Sequence, residues 1–196
     1  MRLGFIARND LVGVEEDAQF AVNHGFKGLE FNFWQNFEDL TRDKILKMRE
    51  ILDRVGVPAA ALGLWGWNHI SRDEETRRES LAHLDRAIEF AELLGAEVLI
   101  TGGGKIADAP LEENVAEFVE VFPPYLEKAQ NAGLRVALYA VHGNSFFESI
   151  EAYERVWEHI PDVGIKLDPA NIKHHGDPYL PILRDYGDRV YHFHIK

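Results

Sequence analysis

The sequence predicts an α/β fold, a (β/α)8 barrel that shows seven of its strands within 196 residues. Seven short apolar runs are separated by six longer segments with helical spacing, and glycine or a capping residue marks many of the joints. The connections are short, and strict strand–helix alternation implies parallel strands joined by right-handed crossovers. A dinucleotide-binding open sheet would carry a glycine-rich turn after its first strand, where Ala7-Arg8-Asn9-Asp10 stands instead.

The elements follow in order. Residues 2–7 (RLGFIA) form the first run, and Val14, Ala18, Ala21 and Val22 fall at helical spacing before Gly25. Residues 28–31 (GLEF) are the second strand. Thr41 caps a helix through Ile45, Met48, Ile51 and Leu52 that stops at Gly56. Residues 58–64 are the third strand, and a long helix from about Asp73 to Leu94 presents Leu81, Leu84, Ala87, Ile88 and Ala91 on one face. The fourth strand, 97–101, runs into Gly102, Gly103 and Gly104. The next helix carries Pro123 and Pro124, which predict a kink. Strand five is 134–141, a helix covers Ser149–His159, strand six is 163–168, a short helix covers Pro178–Tyr186, and strand seven is 189–195.

No linker, repeat or low-complexity tract divides residues 1–196, so one domain is expected. A barrel of eight units takes about 250 residues. The expectation is therefore a chain that stops short of the eighth βα unit, continuing past Lys196 or covered there by a second copy in a homo-oligomer. The absence of cysteine removes disulfides, thiolate nucleophiles and Cys-based metal centres, and fits a reducing, cytoplasmic setting. A net charge of −12 without a basic cluster disfavours nucleic acid, and no apolar run approaches a membrane span.

Parallel-strand folds place their chemistry at the carboxyl ends of the strands. Those ends carry Glu30 and Asn32, then Trp65, Trp67, Asn68 and His69, the glycine run, His142 and Asn144, Asp168, and finally His192, His194 and Lys196. Alternation sets Tyr191, Phe193 and Ile195 on one face of strand seven and His192, His194 and Lys196 on the other. In strand six, Lys166 and Asp168 oppose Val163, Ile165 and Leu167. Ionisable rows on two adjacent strands, both facing a barrel interior, need pairing, water or an ion, and so mark a site. Plainer readings stay open beside this one. His192 is also placed as a hydrogen-bonded interior residue, Lys166 as a structural partner of a carboxylate, and Glu30 as a loop residue. Trp65 and Trp67 suit either core or the apolar wall of a sugar pocket. The glycine run admits a phosphate only weakly. His24, His83 and His159 are expected at the surface.

The run DVGIKLDPANIKHHGDPYLPILRDYGDRVYHFHIK resembles the late strands of the xylose-isomerase-like TIM-barrel superfamily, in its sugar phosphate isomerase/epimerase branch. GFKGLEF and WNHISRDEETRRESLAHLDRAIEFAELLGAEVLITGGG resemble the same family's second strand, third helix and fourth strand. The resemblance implies a divalent metal (Mn, Mg, Co or Zn) at the barrel mouth, with Asp168 and His194 as ligands. It also implies a Glu ending strand five, where this alignment puts Ala140, and a Glu ending strand eight, beyond Lys196. Asn171 stands where many members have a His.

These readings point to a metal-dependent isomerase or epimerase acting on a small sugar, sugar phosphate or polyol through an enediolate. Glu30, His142 and Lys166 are the candidates for proton transfer or oxyanion stabilisation, and Trp67, His69, Asn171 and Lys196 for substrate binding. The alternative is a non-catalytic sugar-binding or regulatory barrel, suggested by Ala140 in place of the strand-five Glu.

Overall fold

A computed structural model describes residues 2–34, 37, 39–139, 145–174 and 178–195. Seven parallel strands form one sheet in the order β1 (Phe5–Ile6), β2 (Leu29–Phe33), β3 (Ala59–Leu64), β4 (Val98–Thr101), β5 (Arg135–Tyr139), β6 (Gly164–Leu167) and β7 (Val190–Phe193). Between them lie α1 (Leu11–Asn23), α2 (Arg42–Val55), α3 (Glu74–Leu94), α4 (Leu111–Val121), α5 (Pro123–Asn131), α6 (Ile150–Trp157), α7 (Pro169–His174) and α8 (Tyr179–Tyr186).

The expected cap at Thr41 forms, accepting from Lys44 N, and Gly56 and Gly95 close α2 and α3 in the left-handed conformation; Asp10 and Asp73 cap α1 and α3 in the same way, accepting from Gly13 N and Thr76 N. The double proline divides its helix into α4 and α5 at Phe122. One element goes beyond the sequence reading: α7 begins directly after Asp168, whose Oδ1 accepts from Ala170 N at 3.2 Å and Asn171 N at 3.3 Å.

Burial separates two cores. Leu29, Phe31, Phe33, Leu62, Leu64, Leu99, Val136, Leu138, Ile165 and Leu167 pack outward against the helices. Ala61, Trp65, Val98, Ile100, Ala137 and Tyr139 form a second cluster on the opposite face, joined by Tyr191. In a flat sheet β2 and β7 would stand five strand spacings apart, about 24 Å. Instead Glu30 of β2 makes hydrogen bonds of 2.8 and 2.7 Å to His192 and His194 at β7. The sheet is thus curled, and the second cluster is the inside of the curl.

Strict alternation fails in β7. Ile165 pairs with Val190 but Lys166 pairs with His192, so Tyr191 is an extra residue in the ladder. Its ring lies over Gly164, where an added Cβ would overlap it, and it joins the interior cluster. Tyr191 and His192 therefore both serve the inner side, against the expectation that Tyr191 shares the face of Phe193. Among the described residues no helix is long and apolar enough to cross a membrane.

Candidate active site

The first half of β2 and the carboxyl ends of β6 and β7 bring Glu30, Lys166, Asp168, His192 and His194 together. Glu30 is 4% exposed and its Oε2 lies 2.8 Å from Nε2 of His192 and 2.7 Å from Nε2 of His194. The other face of His194 looks at Asp168, with Nδ1 3.8 Å from Oδ2. The same Oδ2 accepts from Lys166 Nζ at 3.2 Å. The result is a chain running Glu30, His194, Asp168, Lys166. It alternates carboxylates with basic groups, which is how buried ionisable groups are kept from the cost of isolation.

Electrostatics follow from this chain. Burial alone would raise the Glu30 pKa, but the hydrogen bonds from His192 and His194 overcome it and hold the carboxyl well below the usual carboxylate range. Burial works against the His194 imidazolium, yet Asp168 and Glu30 on its two sides raise its pKa above the ordinary value. Glu30 Oε1 is buried and has no hydrogen-bond partner among the described residues. Such an acceptor costs about 1–3 kcal/mol, and it is where a bound hydroxyl would be welcome.

An aromatic wall stands beside the chain. Lys166 Nζ lies 5.2 Å from the Trp65 ring centre, Tyr139 packs on Trp65 at 4.3 Å, and Trp34, a residue 45% exposed, stacks on it at 5.7 Å. Trp65 Nε1 donates to Asn32 Oδ1 at 2.6 Å, over Gly63, which leaves room for both. Tyr139 is the last described residue of β5, is paired in register with Lys166, and takes a hydrogen bond from Gly66 N on its hydroxyl. Burial pushes its phenol up to about 12, so it carries no negative charge there.

The other sequence candidates fall elsewhere. His69 is wholly buried, with Nε2 3.0 Å from Thr101 Oγ1, and burial lowers its pKa to about 4. Trp67 packs edge-on to His83 at 3.9 Å. No hydrogen bond or ring contact ties either of them to the Glu30 chain among the described residues. Asn171 touches it through its backbone N–H, which donates to Asp168 Oδ1 at 3.3 Å. His83, expected at the surface, is buried between Trp67 and Phe37, because it lies on the same stripe of α3 as Ser80, Leu84 and Ala87. The glycine run is a close approach to the following loop. Gly103 N donates to Ser145 Oγ, and its missing Cβ makes space for Phe146 and Phe147. His142, Asn144, Lys196 and the Ala140 position lie outside the described residues.

Sequence reading missed Tyr139 and the inward turn of Tyr191. The signal for the latter was Gly164 on the neighbouring strand, which only makes sense as space for a ring.

Seven parallel strands with helices outside and a row of polar groups inside make an incomplete α/β barrel. The chain belongs to the xylose isomerase-like TIM barrel family, whose model matches residues 18–196. Among solved structures, a 3-keto-D-glucoside 4-epimerase from E. coli is 16% identical, the match covering 100% of this chain and 78% of that one at a TM-score of 0.78. A D-allulose 3-epimerase from Methylomonas sp. in complex with D-allulose is 16% identical over 99% of this chain and 72% of that one, also at 0.78. An L-ribulose 3-epimerase is 15% identical over 96% and 67%, at 0.79. At these identities the likeness is one of fold. A search of curated proteins finds no match.

The donor set is compatible with a divalent cation. Nitrogen and carboxylate oxygen suit Mn, Mg, Co or Zn. The 3.8 Å between His194 Nδ1 and Asp168 Oδ2 is too long for a hydrogen bond and within reach of two ligands sharing one ion. Glu30, His192 and His194 also bring ligand atoms within 4.8 Å of one another.

Proposed function

We propose that the protein is a sugar epimerase or isomerase that moves a proton at a carbon next to a carbonyl, with a divalent cation held by Asp168 and His194. The observation that carries this reading is the buried chain of Glu30, His194, Asp168 and Lys166 at the strand ends. A bound cation would supply Lewis acidity to a carbonyl and its neighbouring hydroxyl. Lys166 places an ammonium beside Asp168, where it stabilises negative charge developing on the substrate's oxygens as the C–H bond is broken. The proton leaves to a base and returns to the other face of the same carbon, or to the adjacent one, so no oxidant or reductant is consumed. Two imidazoles hold the Glu30 carboxyl below the usual range, which makes it a weak base. His142 remains a candidate for carrying the proton. Trp34, stacked on the buried Trp65, offers a flat apolar face to a sugar ring, and the epimerases of like fold point to a ketose as substrate class.

The test is incubation with a panel of ketoses, D-allulose among them, in deuterated water with Mn, Mg, Co or Zn added. Deuterium appearing beside the carbonyl, lost in Asp168→Ala and His194→Ala, supports the reading. Sugar binding without exchange would transfer support to a non-catalytic barrel. That second reading is favoured by Tyr139, an uncharged phenol at the inward end of β5 in register with Lys166.

A further inference from the structure

We infer that Glu30 is a positioning residue: by accepting hydrogen bonds from both His192 and His194 on one oxygen, it fixes the His194 ring so that Nδ1 is the atom offered to a cation shared with Asp168. The inference rests on the reading that Asp168 and His194 hold the ion.

An ionised carboxylate only accepts hydrogen bonds. With Oε2 2.8 Å from His192 Nε2 and 2.7 Å from His194 Nε2, each of those nitrogens must carry a proton. A protonated ring nitrogen has no lone pair for a metal. The free lone pair of a neutral His194 therefore sits on Nδ1, on the side of Asp168 Oδ2 at 3.8 Å. Two donors each about 2.1 Å from one ion stand about 3.0–3.4 Å apart at octahedral to tetrahedral angles, so a contraction of about 0.4–0.8 Å completes the arrangement. A metal-bound imidazole ordinarily donates its other N–H to a carboxylate, which sets its tautomer and direction. Glu30 supplies that carboxylate from the far side of the barrel, and its 4% exposure keeps water from competing. His192 is the second tether on the same oxygen and limits rotation of the Glu30 carboxylate. The rival arrangement has Glu30, His192 and His194 binding the ion directly, with the spare Oε1 turned toward it.

The experiment is 15N NMR of the full chain with labelled histidine, before and after Zn2+, beside calorimetry with Mn2+ on the wild type, Glu30→Gln and Glu30→Asp. Expected, at a pH above the raised value of His194, are the Nε2–H tautomer of His194 without metal, and a Zn2+-induced shift at Nδ1 with the Nε2 proton kept. Mn2+ affinity should fall 10–100-fold in Glu30→Gln and less in Glu30→Asp, which keeps the charged acceptor. Loss of the Nε2 proton from both histidines on adding Zn2+ would overturn the inference in favour of direct ligation. An Nδ1–H tautomer in the metal-free wild type would overturn it without reference to any ion. If the wild type shows the Nε2–H tautomer yet binds neither ion, the cation reading fails and takes the ligand-atom assignment with it.

Discussion

Lys166 and Asp168 stand two positions apart on the inner face of β6, with Nζ 3.2 Å from Oδ2 and both side chains 2% exposed. Removing one member of a buried ion pair leaves the other uncompensated, at a cost of about 3–5 kcal/mol. Asp168 keeps two backbone N–H donors from α7, which places Lys166→Met near the lower end. Urea unfolding with EDTA should show a loss of about 3 kcal/mol, and Mn2+ should shrink that loss by supplying another cation beside Asp168. An equal loss with and without Mn2+ would count against an ion at this carboxylate.

His69 predicts an acid-sensitive core. Burial lowers its folded pKa from 6.5 to about 4, with a backbone contact to Ser80 opposing only in part. Above pH 6.5 both states are neutral and the burial is free of charge effects. As pH falls below that, the unfolded chain binds the proton first, so stability declines by about 1.4 kcal/mol per unit until the folded value is reached. His69→Gln should flatten this slope between pH 6.5 and 4, read from urea midpoints at several pH values. A parallel slope in the variant would show that other groups dominate.

Gly63 tests the aromatic wall. A Cβ there would overlap both Asn32 Oδ1 and Trp65 Nε1, so Gly63→Ala must push apart the hydrogen bond between them. Overpacking of this kind costs about 1–3 kcal/mol. The change should appear both in the unfolding midpoint and in the emission of Trp65. Unaltered tryptophan emission would mean that the wall is less tightly built than the 2.6 Å contact implies.

Ser145 ties the loop after β5 to the glycine run after β4. Its buried hydroxyl accepts from Gly103 N and Phe147 N. Ser145→Ala strands these donors, and a loss of about 1–3 kcal/mol is expected. Faster hydrogen exchange at Gly103 and Phe147 would locate the effect, and unchanged protection there would refute it.

The fold was legible because burial on the helix-facing side of each strand leaves a repeated apolar signature. Leu29, Phe31 and Phe33, or Ile165 and Leu167, could face only the helices. Asp168, His194 and Lys166 were legible by the same alternation. What escaped was written in single residues instead of periods. The bulge at Tyr191 adds one position without changing composition, and only Gly164 opposite records it. The α7 helix has six residues, too few to repeat a helical period twice, and Asp168 that precedes it had already been assigned to the site. His83 lay on the buried stripe of α3 but was judged by residue type, and Trp67, which covers it, comes from outside the helix.

Glu30 and His194 are 164 positions apart in the chain, yet they share one hydrogen bond. Neighbouring strands and their crossovers close loops of a few tens of residues, whereas this contact must wait until nearly the whole sequence has been wound into place. The site is thus among the last features to form and the first to come apart when an end of the sheet frays. A cation bound at Asp168 and His194, as proposed, would act as a late latch. It should leave the refolding rate little changed and slow unfolding, because the contacts it reinforces belong to the finished barrel and not to the barrier that precedes it.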